Sequence, residues 1–264
     1  MFLKSAKEYG LRLASVCLVA VLICTVSLPA QAEASGNNWA VSLSAVDSLY
    51  DGYTALETAN KLEKQEIQLL RKDSSARLQN VNSAIKAIDK SKIDTLTATA
   101  AALKTRYAPL LQQYSDLGKQ AGDARKRKDK KNADLLDLQR NKLKPSVEAA
   151  KLEIKQANEA LVAAKKQAKT KAQIVKDALL PVSSLKKQVT AENKSITAFN
   201  KTRAASYKRY RAAIKSGNAI TAAAEITMMY TQLGKIHASQ QKIYGWEKQI
   251  SAAIKSAAAK LPAK

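Results

Sequence analysis

Apolar residues recur along most of the chain in alternating steps of three and four. From Ile93 the steps meet Leu96, Ala100, Leu103, Tyr107, Leu110, Tyr114, Leu117, Ala121 and Ala124. They then reach Lys128 and Lys131, and apolar residues return at Leu135 and Leu138. A second run, in another phase, starts at Leu143 and passes through Val147, Ala150, Ile154, Ala157, Leu161, Ala164, Ala168, Lys171, Val175, Ala178, Val182, Leu185, Val189, Glu192, Ile196 and Phe199. A third holds Ile226, Met229, Leu233, Ile236, Gln240, Ile243, Glu247, Ile250, Ile254 and Ala257. The segment from Trp39 through Val46, Leu49, Tyr53, Leu56, Ile67, Leu70, Val81 and Ile88 follows the pattern more loosely. Such spacing puts one apolar stripe on each helix and predicts helices that pack along a seam. Many seam positions are Ala, which lets neighbouring backbones approach closely.

Breaks in this pattern place the turns. Lys90-Ser91-Lys92-Ile93-Asp94 predicts a first turn, with Ser91 or Asp94 as the cap of the next helix. Lys215-Ser216-Gly217-Asn218 predicts a helix end, because Gly and Asn tolerate the left-handed conformation that stops helices. The phase change between Leu138 and Leu143 predicts a turn at 140–146, with Pro145 opening the following helix. A turn at 126–132 is the competing placement. The register runs through Pro181 unbroken, which predicts one kinked helix there. The resulting map has helices at 39–89, 92–141, 145–215 and 218–260. The expected fold class is all-α, an elongated antiparallel helical bundle or set of coiled-coil-like hairpins of four to five long helices. Eight Gly and five Pro are too few for the turns of a β-sandwich or an alternating α/β fold.

The N-terminal segment reads differently. Lys4, Lys7 and Arg12 precede an apolar run from Leu13 to Leu28, and Pro29 leads into Ala30-Gln31-Ala32. This is the layout of a secretory signal peptide over residues 1–32, cleaved after Ala32. The run is short for a bilayer span, which needs about 20 residues; retention as an anchor is the competing reading. Val16 and Ile23 precede Cys17 and Cys24, against a lipoprotein site. The remaining residues 33–264 are expected to form a single elongated helical domain without cysteine.

That subtraction removes much chemistry. Without a thiol there is no disulfide, thiolate nucleophile or cysteine-held metal. His237 alone cannot make a histidine-pair zinc site, and no GxSxG turn, GxGxxG, phosphate loop or calcium-binding loop is present. His237 reads as a partly buried helix residue. The expectation is a non-enzymatic protein with no cofactor and no metal.

Charge points to the partner. The chain carries 45 Lys and Arg against 22 Asp and Glu. The excess is concentrated in residues 145–264, which hold 22 basic and seven acidic residues. A field of this size draws polyanions. For an exported protein, extracellular, wall-associated or periplasmic, these are anionic cell-envelope polymer such as wall polymer or lipopolysaccharide, or a membrane surface; nucleic acid would bind only as a non-specific polyanion. A solvated Lys-rich surface that binds nothing is the plain alternative. An extracytoplasmic helical chaperone or assembly scaffold is the second functional reading, with protein partners, or copies of the chain, held through the helical seams. Membrane-surface or pore-forming activity is a third, opposed by the lack of a long apolar segment after residue 32.

The candidate polyanion-binding residues are Arg203, Tyr207, Lys208, Arg209, Tyr210, Arg211 and Lys215. Arg203, Tyr207 and Arg211 fall four apart on one helical face, with Tyr210 beside them. Arginine grips phosphate through two donors, and tyrosine offers a flat surface for stacking or sugar packing. The plain alternative is tyrosines filling a bundle end and cations offsetting a helix C-terminus. Arg125–Lys131 and Lys165–Lys171 are further basic blocks. Trp39, Tyr50, Tyr53, Tyr230, Tyr244 and Trp246 read as core, in one aromatic cluster if the first and last helices pair.

Overall fold

A computed structural model describes residues 37–262. The expected signal peptide lies outside the described residues. Four long helices pack against one another: α1 (Asn37–Ala87), α2 (Lys90–Lys126), α3 (Lys130–Lys215) and α4 (Ala219–Ala259). No strand occurs among the described residues.

The inward faces of α2, α3 and α4 are the stripes read from the sequence. Ala100, Ala121, Ala124, Val147, Ala150, Val175, Val189 and every seam residue from Ile226 to Ala257 are buried. Among the seam residues of the first segment, Leu56, Ile67 and Val81 on α1 and Ile88 just after it are buried, whereas Trp39 is half exposed. Three charged residues at seam positions, Lys171, Glu192 and Glu247, have ion-pair partners on another element. Lys171 reaches Asp89 at 2.8 Å, Lys242 reaches Glu192 at 3.3 Å, and Arg71 meets Glu247 at 2.7 Å.

Two of the three breaks differ from expectation. The first falls at Ile88-Asp89, and both proposed caps, Ser91 and Asp94, lie inside α2. Asp89 takes the left-handed conformation, with φ of 51°, and makes no side-chain cap. Its carboxylate turns instead to Lys171 on α3, which ties the turn to that helix. Asp94 pairs with Lys90 at 2.5 Å.

The turn expected at 140–146 does not exist. α2 ends at Lys126, Lys128 has φ of 60°, and the Asp129 amide closes the turn on the Ala124 carbonyl at 3.0 Å. Asp129 Oδ1 then caps α3 by accepting from the Asn132 amide at 3.1 Å. The misplacement has a physical cause. Leu135 and Leu138 are exposed, and the α3 stripe runs back in threes and fours through Leu143, Arg140, Leu136 and Ala133. Arg140 hides this continuity because it occupies an inward position and lays its guanidinium over Tyr114, 4.6 Å from the ring centre. Gly118 leaves room for it, since a Cβ there would meet Arg140 Nε at 3.2 Å. Pro145 and Pro181 sit inside α3, so packing outweighs the ladder bond each one removes.

The third turn is the one expected. Gly217 has φ of 68°, and Asn218 Oδ1 caps α4 through the Thr221 amide at 2.9 Å.

The chain divides into two units. In the first, residues 37–78 pack with Leu179–Lys255. Here α1 and α3 run antiparallel, with Glu57 opposite Arg203 and Trp39 opposite Gly217. α4 runs parallel to α1, since Asn60 meets Leu233 and Arg71 meets Glu247. One core cluster is Leu56, Leu233 and Ile236, covered by Tyr53, Phe199 and Tyr230. The other is Ile67, Val189 and Ile243, covered by Tyr244 and Trp246. The first and last helices therefore do pair; Tyr53 and Tyr230 join one cluster and Tyr244 and Trp246 the other, whereas Trp39 and Tyr50, expected in the core, are half exposed and belong to neither. In the second unit, Gln79–Ala178 with the residues from Ser256, α2 runs antiparallel to α3: Tyr107 donates to Glu153, and Arg125 pairs with Asp137.

Candidate functional site

The end of α3 displays the cations singled out in the sequence, on two different faces. Positions 203, 206, 210 and 213 turn inward, where Ser206 and Ala213 are buried and Arg203 and Tyr210 are half-buried. Arg203 Nη1 donates to Glu57 Oε1 at 2.8 Å and to the Tyr53 hydroxyl at 3.1 Å. Burial pulls the Arg203 pKa down, but the bonds to Glu57 and Tyr53 outweigh it and the net direction is up. In return Arg203 holds Glu57 below the usual carboxylate value, while burial raises the Tyr53 phenol.

Arg209 turns toward α4. Its Nε and Nη2 grip the Glu225 carboxylate at 2.5 and 2.9 Å, and Nη2 also meets Ser206 Oγ at 3.1 Å. This two-pronged pair raises Arg209 and lowers Glu225. Tyr210 is raised by burial first and then by its neighbours Tyr50 and Tyr207. Tyr50 and Tyr207 thus lie near Tyr210, and Tyr207 also lies near Tyr53, the tyrosine that contacts Arg203.

Lys208, Arg211 and Lys215 are different. They are exposed and have no carboxylate within ion-pair distance among the described residues. At about 100° per residue, positions 207, 208, 211, 214 and 215 share one stripe roughly 120° wide. Tyr207 and Ile214 on this stripe are about half exposed. Of the seven candidates, Arg203, Arg209 and Tyr210 are engaged with the protein itself, and Tyr207, Lys208, Arg211 and Lys215 form an open strip. Glu57 and Glu225, the residues that decide this partition, were not singled out in the sequence.

The other basic blocks are placed as follows. Arg125–Lys131 spans the α2–α3 turn, and Arg125 is taken by Asp137. Lys165, Lys166 and Lys169 are exposed on α3, whereas Lys171 belongs to Asp89.

A second polar locus lies between α1 and α4. Asn60 Nδ2 donates to the Leu233 carbonyl, and Gln240 Nε2 donates to the Asn60 carbonyl, both at 3.1 Å. His237 Nδ1 lies 3.2 Å from Asn60 Oδ1 and 3.1 Å from Glu63 Oε2, out of line for a hydrogen bond to the latter. A groove of about 420 Å³ runs alongside, with Asn193, Asn200, Arg71 and Arg203 around a floor that includes Ile196 and Ile243. The arrangement fixes the relative position of two helices through buried amides. Among the described residues no group of three His, Cys, Asp or Glu is placed to hold a metal, and no helix is long and apolar enough to cross a membrane. No protein family, curated protein or solved structure matches this chain, and its function must be read from these residues.

Proposed function

We propose that the chain is an exported, non-enzymatic helical protein of the cell envelope that binds anionic polymer, with residues 1–32 acting as a cleaved signal peptide. The observation that carries this reading is the strip of Lys208, Arg211 and Lys215, which no carboxylate among the described residues neutralises, beside the exposed Tyr207. Arg203 and Arg209 support the strip from behind: their ion pairs fix α3 against α1 and α4. The helices are proposed to pack as an antiparallel coiled-coil-like bundle, supported by stripes that stay in steps of three and four along α2, α3 and α4.

Contacts to a polyanion release condensed counterions, so affinity falls as salt rises. By the slope established for duplex DNA, three contacts cost about 40-fold between 50 and 200 mM salt. The test is retention on isolated wall material. Lys208→Gln, Arg211→Gln and Lys215→Gln together should abolish retention, whereas the matched set Lys165→Gln, Lys166→Gln and Lys169→Gln should leave it intact. Equal losses from both sets would show a diffuse field without a site. No salt-dependent retention in the parent protein would refute the reading and favour the chaperone or scaffold alternative.

A further inference from the structure

The strip of cations leads to an end of the first unit that is apolar as well as basic. The start of α1 is tied to the α3–α4 turn by Trp39, whose Nε1 donates to the Gly217 carbonyl at 3.2 Å. Around this end Trp39 is 50% exposed, Val41 67%, Leu43 50%, Ile214 54% and Ile220 57%. All five lie within about 10 Å of the helix ends along their axes. Single exposed apolar residues are ordinary on a protein surface, but five grouped at one end mark an interaction site.

The cations follow in layers. Lys215 sits level with the apolar residues, Arg211 one turn behind and Lys208 about two turns behind on the same stripe. The first turns of α1 and α4 contain no acidic residue. The nearest exposed acids on α1, Asp47 and Asp51, stand about 15 Å or more from the helix start. Glu225, on α4, is taken by Arg209.

We propose that this end docks on an anionic lipid surface, with Trp39, Val41, Leu43, Ile214 and Ile220 entering the headgroup region and Arg211, Lys215 and Lys208 meeting lipid phosphates. The proposal rests on the same unpaired cations as the polymer reading and adds the occupant of the apolar end. A hydrated polymer would leave Val41, Leu43, Ile214 and Ile220 in water, because aliphatic groups gain only from an apolar medium. A bilayer interface supplies that medium in front of the cations, whose long stems let the charges stay at headgroup level. A second copy of the chain would bring two sets of unpaired cations together.

The two tryptophans make the test direct. Trp246 lies on the Ile67 cluster away from this end, so Trp246→Phe in the full chain leaves Trp39 as the sole reporter. With vesicles containing phosphatidylglycerol, Trp39 emission should shift to the blue and be quenched by brominated acyl chains. Phosphatidylcholine vesicles should give neither effect. Replacing Lys208, Arg211 and Lys215 by Gln should weaken vesicle partitioning roughly 100-fold, from the usual gain per basic residue at an anionic surface. Ile214→Ser with Ile220→Ser should weaken vesicle binding but leave salt-dependent retention on wall material unchanged. Both replaced isoleucines are exposed, and an unchanged circular dichroism spectrum verifies folding. Absence of the Trp39 response, with wall retention intact, overturns the lipid proposal alone; absence of both overturns the polymer reading with it. Vesicle binding indifferent to the two serines would place the contact elsewhere and overturn it too. A concentration-dependent blue shift without vesicles would make a second copy the occupant.

Discussion

Removing Arg71 tests how the first unit tolerates a buried charge. Glu247 is 3% exposed and receives Arg71 Nε at 2.7 Å, whereas the Arg71 side chain is 43% exposed. Deleting one partner of a fully buried pair costs about 3–5 kcal/mol, because the other charge is left desolvated without compensation. Here a cleft of about 270 Å³ lined by Arg71, Ser74 and Glu247 adjoins the pair, so water reaches the abandoned carboxylate. The expected cost of Arg71→Met therefore falls to the bottom of that range or below it, about 2–3 kcal/mol. At about 2–4 °C per kcal/mol for a protein of this size, Tm should fall by roughly 4–12 °C. Arg71→Met with Glu247→Leu removes both charges while keeping volume, and should recover to within about 1 kcal/mol of the parent. Thermal and urea unfolding followed by circular dichroism at neutral pH measure both. A single variant as stable as the parent, or a double variant no better than the single, would refute the reasoning.

Three further outcomes are expected. Glu57 and Glu225 are held below their usual 4.5, so their contribution to stability is present above that value and is lost as pH falls through their lowered folded values. Tyr53 and Tyr210 are raised above 10.0, so their contribution is present below that value and lost as pH rises through the raised ones. Tm should hold a plateau between these limits. Glu57→Gln with Glu225→Gln should flatten the acid limb and Tyr53→Phe with Tyr210→Phe the alkaline limb; unchanged limbs would contradict the assignment. A Cβ at Gly52 would stand 3.3 Å from Tyr230 Cε2, so Gly52→Ala should be near neutral, helix propensity offsetting the squeeze, while Gly52→Leu should cost about 1–3 kcal/mol by overpacking. Equal urea midpoints for the two would show that Tyr230 yields freely. Pro181→Ala should restore a ladder bond inside α3 and raise stability by up to about 3 kcal/mol; a lower Tm would mean that the proline ring itself is required for packing.

The helices were legible because burial enforces a period. Every seam residue from Ile226 to Ala257 is buried, including Gln240 and Glu247, which interrupt the apolar count but not the phase. The α2–α3 turn was misplaced because Arg140 and Asp137 occupy inward positions of α3 and exposed leucines flank them, so the true stripe looked broken and a false one looked continuous. The third turn carried its own chemistry in Gly217 and Asn218, whereas the first is set by Asp89 reaching Lys171, a partner 82 positions away. The candidate site divides in the same way. That Tyr207, Lys208, Arg211 and Lys215 share a stripe is helix geometry and could be counted. That Arg203 is consumed by Glu57 depends on a pairing across 146 positions, which composition and spacing do not contain. The Arg209–Glu225 pair lay closer to reach: the two residues stand eight positions on either side of Gly217, as a helical hairpin turning there requires.

The polar interruptions have a consequence for how the helices choose their alignment. An alanine-rich stripe repeating in threes and fours looks nearly the same after a slide of seven residues, so apolar burial alone discriminates weakly between registers. Partners at single positions lift that degeneracy. In the first unit, sliding α4 by one heptad along α1 in one direction sets Glu247 level with Leu78, a buried carboxylate facing an aliphatic side chain, and takes Gln240 away from the Asn60 carbonyl. Between α3 and α4, the pairs Arg209–Glu225 and Lys242–Glu192 both satisfy one antiparallel alignment, and a slide breaks them together. In the second unit Lys171–Asp89 and Tyr107–Glu153 do the same for α2 and α3. Several of these pairs are solvent-exposed, and such pairs add little stability individually. Their weight lies in the difference between registers, where a mismatch leaves charges desolvated and unpaired. The strip of Lys208, Arg211 and Lys215 proposed above depends on that alignment, because the Arg203–Glu57 and Arg209–Glu225 pairs set the face that α3 turns outward.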